Sequence, residues 1–336
     1  MPLSNPPAPA PSSRSFLSGV LCAFLVGMGV VAFLNWWQNP FYAFEPALPH
    51  LSERPPGAIL GADRERQMRW LIRQGEHLDA DTLLIGSSQF LMGMDTCQYP
   101  KMKRLALFFL TDDEITRMLA ATVPNLHTQT TFLISRGLVA PRASPPSVGK
   151  LHALWRDLFG QQATYTSLLN LYGSIAPGPR PCAVVADAAT APDAKSPEMI
   201  RKTLEVAARH IAPPTALADI FATIEPQCSR LHHRIVILHM PILFSPSDVP
   251  ALLSLTQQQA VMAREAVAAF NQRHTGCVAS FQDLATQYTL QNQQNGPDQA
   301  DWMDSLHFRP ELGQKFLTRI LAGAGDGSGT TALPRL

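Results

Sequence analysis

Two short motifs, far apart in the sequence, carry side chains that could act together in nucleophilic catalysis. Gly86, Ser87 and Ser88 follow an apolar run. Near the C-terminus, Asp304 precedes His307 by three residues. A serine hydroxyl is a weak nucleophile until a neighbouring base removes its proton, and a carboxylate commonly orients that base. The two motifs therefore predict a Ser-His-Asp site if the fold brings them together.

Each motif also has a purely structural explanation. Gly86 permits a tight exit from a strand and leaves the following amides facing a developing oxyanion. Ser87 or Ser88 could instead simply cap the next helix, because serine is a favoured N-cap residue. Likewise, Asp304 could cap a helix while His307 lies at the surface. A single Asp-x-x-His spacing occurs readily by chance, so neither motif is specific by itself.

The elements that must position these motifs alternate along the chain. Apolar runs bounded by turn signals predict strands at 82–85, 105–110, 130–135, 234–240 and 277–281. Helical patterns are predicted at 64–75, 115–121, 151–159, 255–272 and 312–321, the second opened by an N-cap and an acidic turn at 111–114. The alternation predicts a three-layered α/β domain with a parallel sheet over residues 79–321. Ligands bind at the carboxyl ends of strands in such sheets, which is where Ser88 is expected.

Two segments depart from this rhythm. Residues 139–196 contain many prolines and Ala/Pro-rich stretches around one predicted helix. We interpret this segment as an insertion, or a lid, over the carboxyl edge of the sheet. Residues 322–336 are rich in Gly, Ser and Thr and are predicted to be a disordered tail.

The N-terminal region contains an uncharged apolar run at 16–34, followed by Trp36 and Trp37. A helix that spans a bilayer needs roughly 20 apolar residues, and tryptophans are typical of the membrane interface. We predict an uncleaved transmembrane signal anchor over 16–37, after a disordered cytoplasmic tail at 1–15 and before a proline-rich connector and helix at 38–78. The alternative is a cleaved signal peptide, with Arg14 as its positive region. The run is longer than a typical signal core, and residues 35–38 are a poor cleavage site.

The distribution of charge predicts the orientation of this anchor. Arg14 is the charge that precedes the run, and no basic residue follows until Arg54. The positive-inside tendency therefore places the N-terminus in the cytoplasm. The chain is predicted to cross the inner membrane once, with its main domain in the periplasm. The formal net charge of the chain is +1, which indicates no nucleic-acid partner.

The five cysteines permit disulfide bonding and do not have the spacing of a zinc site. Cys22 lies in the apolar run, and the other four are Cys97, Cys182, Cys228 and Cys277. In an exported domain these four permit one or two disulfides, with three full pairings. No Cys-x-x-Cys pair or Cys/His cluster is present, so neither a metal nor another cofactor is predicted.

The two motifs and their surroundings resemble a known superfamily. The sequence LLIGSSQF at 83–90 with GMD at 93–95, and DSLHFRPELG at 304–313, resemble the first and last blocks of the SGNH/GDSL hydrolases. More narrowly, they resemble the membrane-anchored bacterial members, which pair a signal anchor with an exported domain. The resemblance spans about residues 80–321 in order and spacing. It implies a flavodoxin-like α/β/α fold, with Ser88 as the nucleophile, His307 as the general base and Asp304 as its orienting acid.

The chain departs from the superfamily in the middle blocks. There, a glycine and an asparagine complete the oxyanion hole together with the N–H of the nucleophile. This chain has no glycine at 105–111, and Ser135, Arg136 and Gly137 occupy the place of the asparagine motif. The side chains that could replace these donors or contact substrate are Ser87, Gln89, Asn125, Arg136 and His239.

The resemblance implies a membrane-anchored, extracytoplasmic serine esterase or O-acyltransferase that acts on envelope or exported carbohydrate. Its implied partners are an acylated carbohydrate substrate and a multispanning acyl-transporting membrane protein. The altered middle blocks favour an alternative, a catalytically degenerate SGNH-like domain that binds glycan or scaffolds an envelope complex. A purely structural anchored domain would leave the paired motifs to coincidence.

Overall fold

The computed structural model describes residues 13–41, 43–44, 63–76, 78–108, 110–135, 149–175, 215–241, 250–286, 288, 301–303 and 307–325. Within these ranges the strands are β1 (Thr82–Gly86), β2 (Met102–Ala106), β3 (Thr131–Ser135), β4 (Arg234–His239) and β5 (Val278–Asp283). The α-helices are α1 (Ser13–Gln38), α2 (Arg64–Glu76), α3 (Ser88–Gly93), α4 (Asp112–Thr122), α5 (Lys150–Phe159), α6 (Gln161–Ile175), α7 (Thr215–Leu231), α8 (Pro250–Arg273) and α9 (Pro310–Gly325).

The described strands form one parallel sheet in the order β2-β1-β3-β4-β5. Thr82 of β1 pairs with Met102 of β2 on one side and with Thr131 of β3 on the other. The chain therefore reverses direction across the sheet at β1, which makes the gap between β1 and β3 a topological switch point. The predicted α/β class with a parallel sheet is confirmed.

The second strand corrects a sequence prediction. The strand predicted at 105–110 lies at Met102–Ala106 in the structure, so both predicted ends were too far along the chain. β2 is an edge strand, and an edge strand tolerates charged side chains such as those of Lys103 and Arg104. The apolar residues Leu107 and Leu110, which suggested a strand, are buried after it has ended. The other predicted strands agree with the structure to within two residues.

The start of α4 agrees with its sequence signal. Thr111 is the N-cap: its side chain accepts a hydrogen bond from the N–H of Glu114, whose carboxylate accepts one from the N–H of Thr111. Glu114 also forms an ion pair with Arg64 of α2. Burial opposes ionisation of Glu114. The hydrogen bonds from Arg64 and Thr111 and the positive charge of Arg64 outweigh this effect, so the pKa of the carboxyl is lowered.

The chain divides into two compact units. The first, Met1–Arg54 with Pro146–Gly178, contains α1, α5 and α6, and the second, Pro55–Pro145 with Pro179–Leu336, contains the sheet. Part of the segment interpreted as an insertion at 139–196 thus groups with the N-terminal helix. Its interpretation as a lid, and the predicted tails and connector, stay predictions, since much of their length lies outside the described residues.

The N-terminal helix α1 has the length and composition of a membrane span. Its apolar stretch, Ser15–Gln38, contains 24 residues and would extend about 36 Å. Among the described residues it is the single helix that is long and apolar enough to cross a bilayer. The side chains at 15–27 are all exposed.

A disulfide joins Cys228, near the end of α7, to Cys277, which precedes β5. Cys97 is also disulfide-bonded, and Cys22 is a free, exposed cysteine. Cys182 lies outside the described residues. The Cys228–Cys277 bond closes a segment of 49 residues and ties α7 to the edge strand β5.

Candidate active site

Ser88 is positioned by a tight turn at the carboxyl end of β1. β1 ends at Gly86, Ser87 has an extended backbone, and α3 begins at Ser88. A Cβ on Gly86 would lie 2.9 Å from the Cβ of Ser135 and 3.0 Å from the ring of Phe90. The chain can therefore pass between β3 and α3 only because residue 86 lacks a side chain.

The two serines of this turn have different environments. Ser87 occupies the N-cap position of α3, and its carbonyl accepts the N–H of Phe90 at 3.1 Å, but its side chain makes no capping hydrogen bond. The Oγ of Ser88 lies 2.8 Å from Nε2 of His307. The fold thus brings Ser88 and His307 together across 219 residues. The hydroxyl of Ser88 contacts this imidazole, which a residue that only caps a helix would not need to do.

His307 is held by a short closed loop before α9. The N–H of Met303 donates to the carbonyl of His307 at 2.8 Å, and the N–H of Arg309 donates to the carbonyl of Asp301 at 2.8 Å. Trp302 and Phe308 form an antiparallel bridge between these two bonds. Asp304, the predicted orienting acid, lies outside the described residues.

An aromatic cluster anchors this loop in the core. Phe308, the neighbour of His307, is fully buried and meets Trp302 and Phe316 edge to face, with ring centroids 6.0 and 5.3 Å apart. The indole N–H of Trp302 donates to the hydroxyl of Tyr288 at 2.7 Å. Edge-to-face aromatic pairs contribute about 0.5–1.5 kcal/mol each beyond their buried area. The backbone at His307 is therefore fixed by its buried neighbour.

Two glycines bring α3 and α9 into direct backbone contact. A Cβ on Gly313 would collide with the carbonyl oxygen of Gly93 and lie 3.0 Å from the ring of Phe308. A Cβ on Gly93 would collide with the same ring and lie 2.9 Å from the carbonyl oxygen of Phe308. Ser88 begins α3, and His307 directly precedes Phe308. This contact therefore helps to set the distance between the two site residues.

The other end of α3 is held by a half-buried arginine. Arg104 of β2 donates from Nη1 to the carbonyl of Met94 at 2.7 Å and to that of Phe90 at 3.4 Å. Burial lowers the pKa of Arg104 to about 10, a shift opposed by the charge of Asp95, so the guanidinium stays protonated at neutral pH. A cation at the C-terminal end of a helix satisfies carbonyls that lack partners within the helix.

The structure assigns local roles to two of the remaining candidates. Gln89 donates from Nε2 to the carbonyl of Pro241 at 2.7 Å, which ties the start of α3 to the chain just after β4. Asn125 donates to the carbonyl of Ala121 at 2.8 Å and precedes β3. It therefore lies towards the amino ends of the strands, opposite the edge that carries Ser88. Arg136 lies outside the described residues.

His239 belongs to a polar cluster that the sequence did not indicate. It ends β4, and its Nδ1 lies 3.1 Å from Oδ1 of Asp283, which ends β5. Asp283 also accepts hydrogen bonds from the N–H and hydroxyl of Thr286 and one from Arg264. Burial opposes ionisation of Asp283, but His239 and Thr286 outweigh it, so the pKa of this carboxyl is lowered. The sequence placed His239 at the end of a strand, but the predicted fifth strand stopped at Phe281, and the pairing with Asp283 depends on the strand order.

The chemistry of the site is that of a serine and an imidazole. Among the residues that the structure describes, no group of three His, Cys, Asp or Glu side chains could hold a metal ion. Ser88 Oγ and His307 Nε2 are within the distance over which a base can remove the proton of a hydroxyl. Comparison with models of known protein families, with curated proteins and with solved structures finds no match to this chain.

Proposed function

We propose that this protein is a membrane-anchored, SGNH-like serine esterase or O-acyltransferase that acts on envelope or exported carbohydrate. The observation that carries the proposal is the 2.8 Å contact between Ser88 Oγ and His307 Nε2. The two residues belong to motifs that were identified independently at opposite ends of the domain. A catalytic nucleophile and its base require this proximity, whereas two unrelated caps do not.

The proposed reaction has two halves. His307 accepts the proton of Ser88 at Nε2 while Ser88 Oγ bonds to the acyl carbon of the donor. The same imidazolium then protonates the leaving group, which departs and leaves an acyl-serine. In the second half, His307 deprotonates a carbohydrate hydroxyl or water, whose oxygen attacks the acyl carbon. The bond from that carbon to Ser88 Oγ then breaks, and the imidazolium returns its proton to Ser88 Oγ. Asp304 would hold the imidazole in the orientation that this exchange needs.

The start of α3 offers a donor for the oxyanion. Ser88 is the first residue of this helix, and the N–H groups of a first helical turn have no acceptor within the helix. We propose the N–H of Ser88 as a donor in the absence of the superfamily's glycine and asparagine. A donor of this kind contributes about 10²–10³ in rate.

The topology supports the SGNH-like assignment. The strand order β2-β1-β3-β4-β5 is that of flavodoxin-like doubly wound sheets, whose ligands bind at the switch point. Ser88 follows β1 at its carboxyl end, beside that point. A three-layer α/β/α SGNH-like fold is therefore the arrangement that we propose for the sheet and its helices.

The proposed location is the inner membrane, with the N-terminus in the cytoplasm and the main domain in the periplasm. The apolar helix α1 and the single preceding charge at Arg14 support this orientation. The Cys228–Cys277 disulfide supports it independently, because structural disulfides persist mainly in oxidising compartments. A multispanning acyl-transporting protein is the partner that such an enzyme would need if its donor comes from the cytoplasm.

A fluorophosphonate probe tests the activated serine in the purified full chain. We expect labelling that disappears in Ser88→Ala and falls strongly in His307→Ala, whereas Ser87→Ala stays reactive. The matched control is Ser229→Ala, since Ser229 is an exposed residue of α7. An unlabelled wild-type chain, or undiminished labelling of Ser88→Ala, would refute the proposal.

The alternative function is a degenerate SGNH-like domain that binds glycan or scaffolds an envelope complex. Two observations favour it. Residues 105–111 lack the glycine that supplies an oxyanion donor in the superfamily, and the side-chain amide of Gln89 donates to the carbonyl of Pro241. Complementation distinguishes the two functions. A Ser88→Ala chain that fully restores the phenotype of a deletion strain would support binding, and one that fails to restore it would support catalysis.

A further inference from the structure

The helices α5 and α6 of the first unit carry large apolar side chains on their outer surface. On α5 the exposed residues are Leu151, Leu154 and Trp155, and on α6 they are Tyr165, Leu168, Leu169 and Tyr172. Leu151 and Tyr172 are 80% and 70% exposed. Each set follows helical spacing, so each helix presents one apolar stripe. We call these two sets the outer stripes.

The inner faces of the same helices are small or polar. Asp157 of α5 and Ala163, Thr166 and Ser167 of α6 are all buried. A helix of a water-soluble domain normally buries its apolar face and exposes its polar face. The α5–α6 hairpin has the opposite arrangement, which suits an apolar solvent around it.

The hairpin is held beside a defined part of α1, near its C-terminal end. Both α5 and α6 pack against α1. Asn35 of α1 is buried and donates from Nδ2 to the carbonyl of Leu158 at 2.7 Å and to the hydroxyl of Thr164 at 2.9 Å. These bonds join the end of α5 and the start of α6 to the last turns of α1. Protein groups thus satisfy the Nδ2 of this polar side chain, while its Oδ1 is buried without a hydrogen-bond partner among the described residues.

The covered part of α1 has the length of one leaflet. Side chains of α1 are exposed from 15 to 27. The partly or fully buried ones are Met28, Val31, Ala32, Leu34, Asn35, Trp37 and Gln38. The ten steps from Met28 to Gln38 correspond to about 15 Å of helix. Half of a hydrocarbon core of roughly 30 Å is the same length. The hairpin therefore lies beside the C-terminal half of the span.

We propose that the α5–α6 hairpin is inserted in the leaflet that surrounds the C-terminal half of α1, with the outer stripes in contact with lipid. This proposal rests on the membrane anchoring proposed above. The stretch of α1 that the hairpin packs against also exposes Phe33 and Trp36. Trp155, Tyr165 and Tyr172 are the residue types that favour the membrane interface. The bilayer is the occupant because it already contacts α1 at the same height.

Site-directed fluorescence in reconstituted full chain tests this contact. Cys22→Ser removes the free cysteine, and a single cysteine is introduced by Leu154→Cys or Leu168→Cys and labelled with an environment-sensitive dye. The vesicles contain zwitterionic and anionic phospholipid, with or without doxyl-labelled lipid as a membrane quencher. Iodide serves as the aqueous quencher. We expect blue-shifted emission at both positions, quenching by doxyl lipid and protection from iodide.

Two reference positions separate the hairpin from the anchor. Phe24→Cys reports on the span itself, and Val261→Cys on α8 is an exposed apolar position in the other unit that should be quenched by iodide. If Phe24→Cys is quenched by lipid while the hairpin positions are quenched by iodide, the hairpin proposal fails and the anchor stands. If Phe24→Cys is also quenched by iodide alone, the anchoring itself fails. Protection of the hairpin positions from both quenchers means that a second copy covers the stripes, which also overturns the proposal.

Discussion

Substituting alanine at Gly93 or Gly313 should move His307 away from Ser88 without altering either side chain. These glycines form the contact between α3 and α9. A Cβ at residue 93 would lie 2.9 Å from the carbonyl oxygen of Phe308, whereas ordinary contact begins at 3.4 Å, so this oxygen must move by 3.4 − 2.9 = 0.5 Å. The closer collision with the Phe308 ring adds to that displacement. A Cβ at residue 313 meets the carbonyl of Gly93, which is backbone and cannot rotate away.

The displacement matters because the site tolerates little movement. His307 is covalently bonded to Phe308, and its Nε2 lies 2.8 Å from Ser88 Oγ. A shift of about 0.5–1 Å takes this contact to the limit of hydrogen bonding, and a misplacement of about 1 Å can cost roughly 10²-fold in rate. We therefore expect Gly93→Ala to lower reactivity by about tenfold or more and Gly313→Ala to lower it further. Overpacking should also destabilise each variant by about 1–3 kcal/mol.

The assay is the second-order rate constant for fluorophosphonate labelling, measured below the melting temperature of each variant. Gly149→Ala is the matched control, because a Cβ at that position meets no heavy atom within 4 Å. We expect this control to react and melt as the wild type does. Wild-type labelling rates in folded Gly93→Ala and Gly313→Ala would refute the reasoning that this contact helps to set the distance between Ser88 and His307.

Three further predictions concern Arg104, the disulfide and His233. Arg104→Met removes the charged donor at the end of α3 and should lower both the melting temperature and the labelling rate, whereas Lys103→Met, at an exposed neighbour, should lower neither. The double substitution of Cys228 and Cys277 by serine should reduce the free energy of unfolding by about 4 kcal/mol in denaturant titration, given the 49-residue separation; an unchanged midpoint would contradict this. Burial, aided by the charge of Arg230, lowers the pKa of His233 to about 4 in the folded state. Between about pH 4 and pH 6.5, His233 is therefore protonated in the unfolded chain but neutral in the folded one. Stability should therefore be complete above about pH 6.5 and fall by about 3 kcal/mol towards pH 4, and His233→Gln should flatten this part of the profile.

The sequence is sufficient to predict β1 and the place of Ser88. The apolar run 82–85 is bounded by Asp81 and Gly86, and a parallel sheet puts the residue after such a run at the carboxyl edge. The strand β2 was less predictable because it lies at the edge, where burial constrains side chains less. The helix α7 was not predicted because it contains Pro226, and an interior proline normally interrupts a helix.

Other features depend on contacts that no local pattern contains. The pairing of His239 with Asp283 follows from the adjacency of β4 and β5, which the order of strands in the chain does not determine. The bonds from Arg104 to α3 likewise depend on the register between β1 and β2. The helix α6 was not predicted because it lies in the proline-rich segment 139–196, where a single helix was predicted at 151–159.

The long separation of Ser88 and His307 also has a consequence for folding. Closing a loop of 219 residues costs about 5 kcal/mol of chain entropy, so this contact forms late, after the strands and α9 have docked. Partly folded chains would have native helices and a native N-terminal strand but an unreactive serine. If the proposed chemistry holds, the rate at which probe reactivity appears during refolding will measure completion of the whole domain, and it will lag behind the recovery of helical circular dichroism.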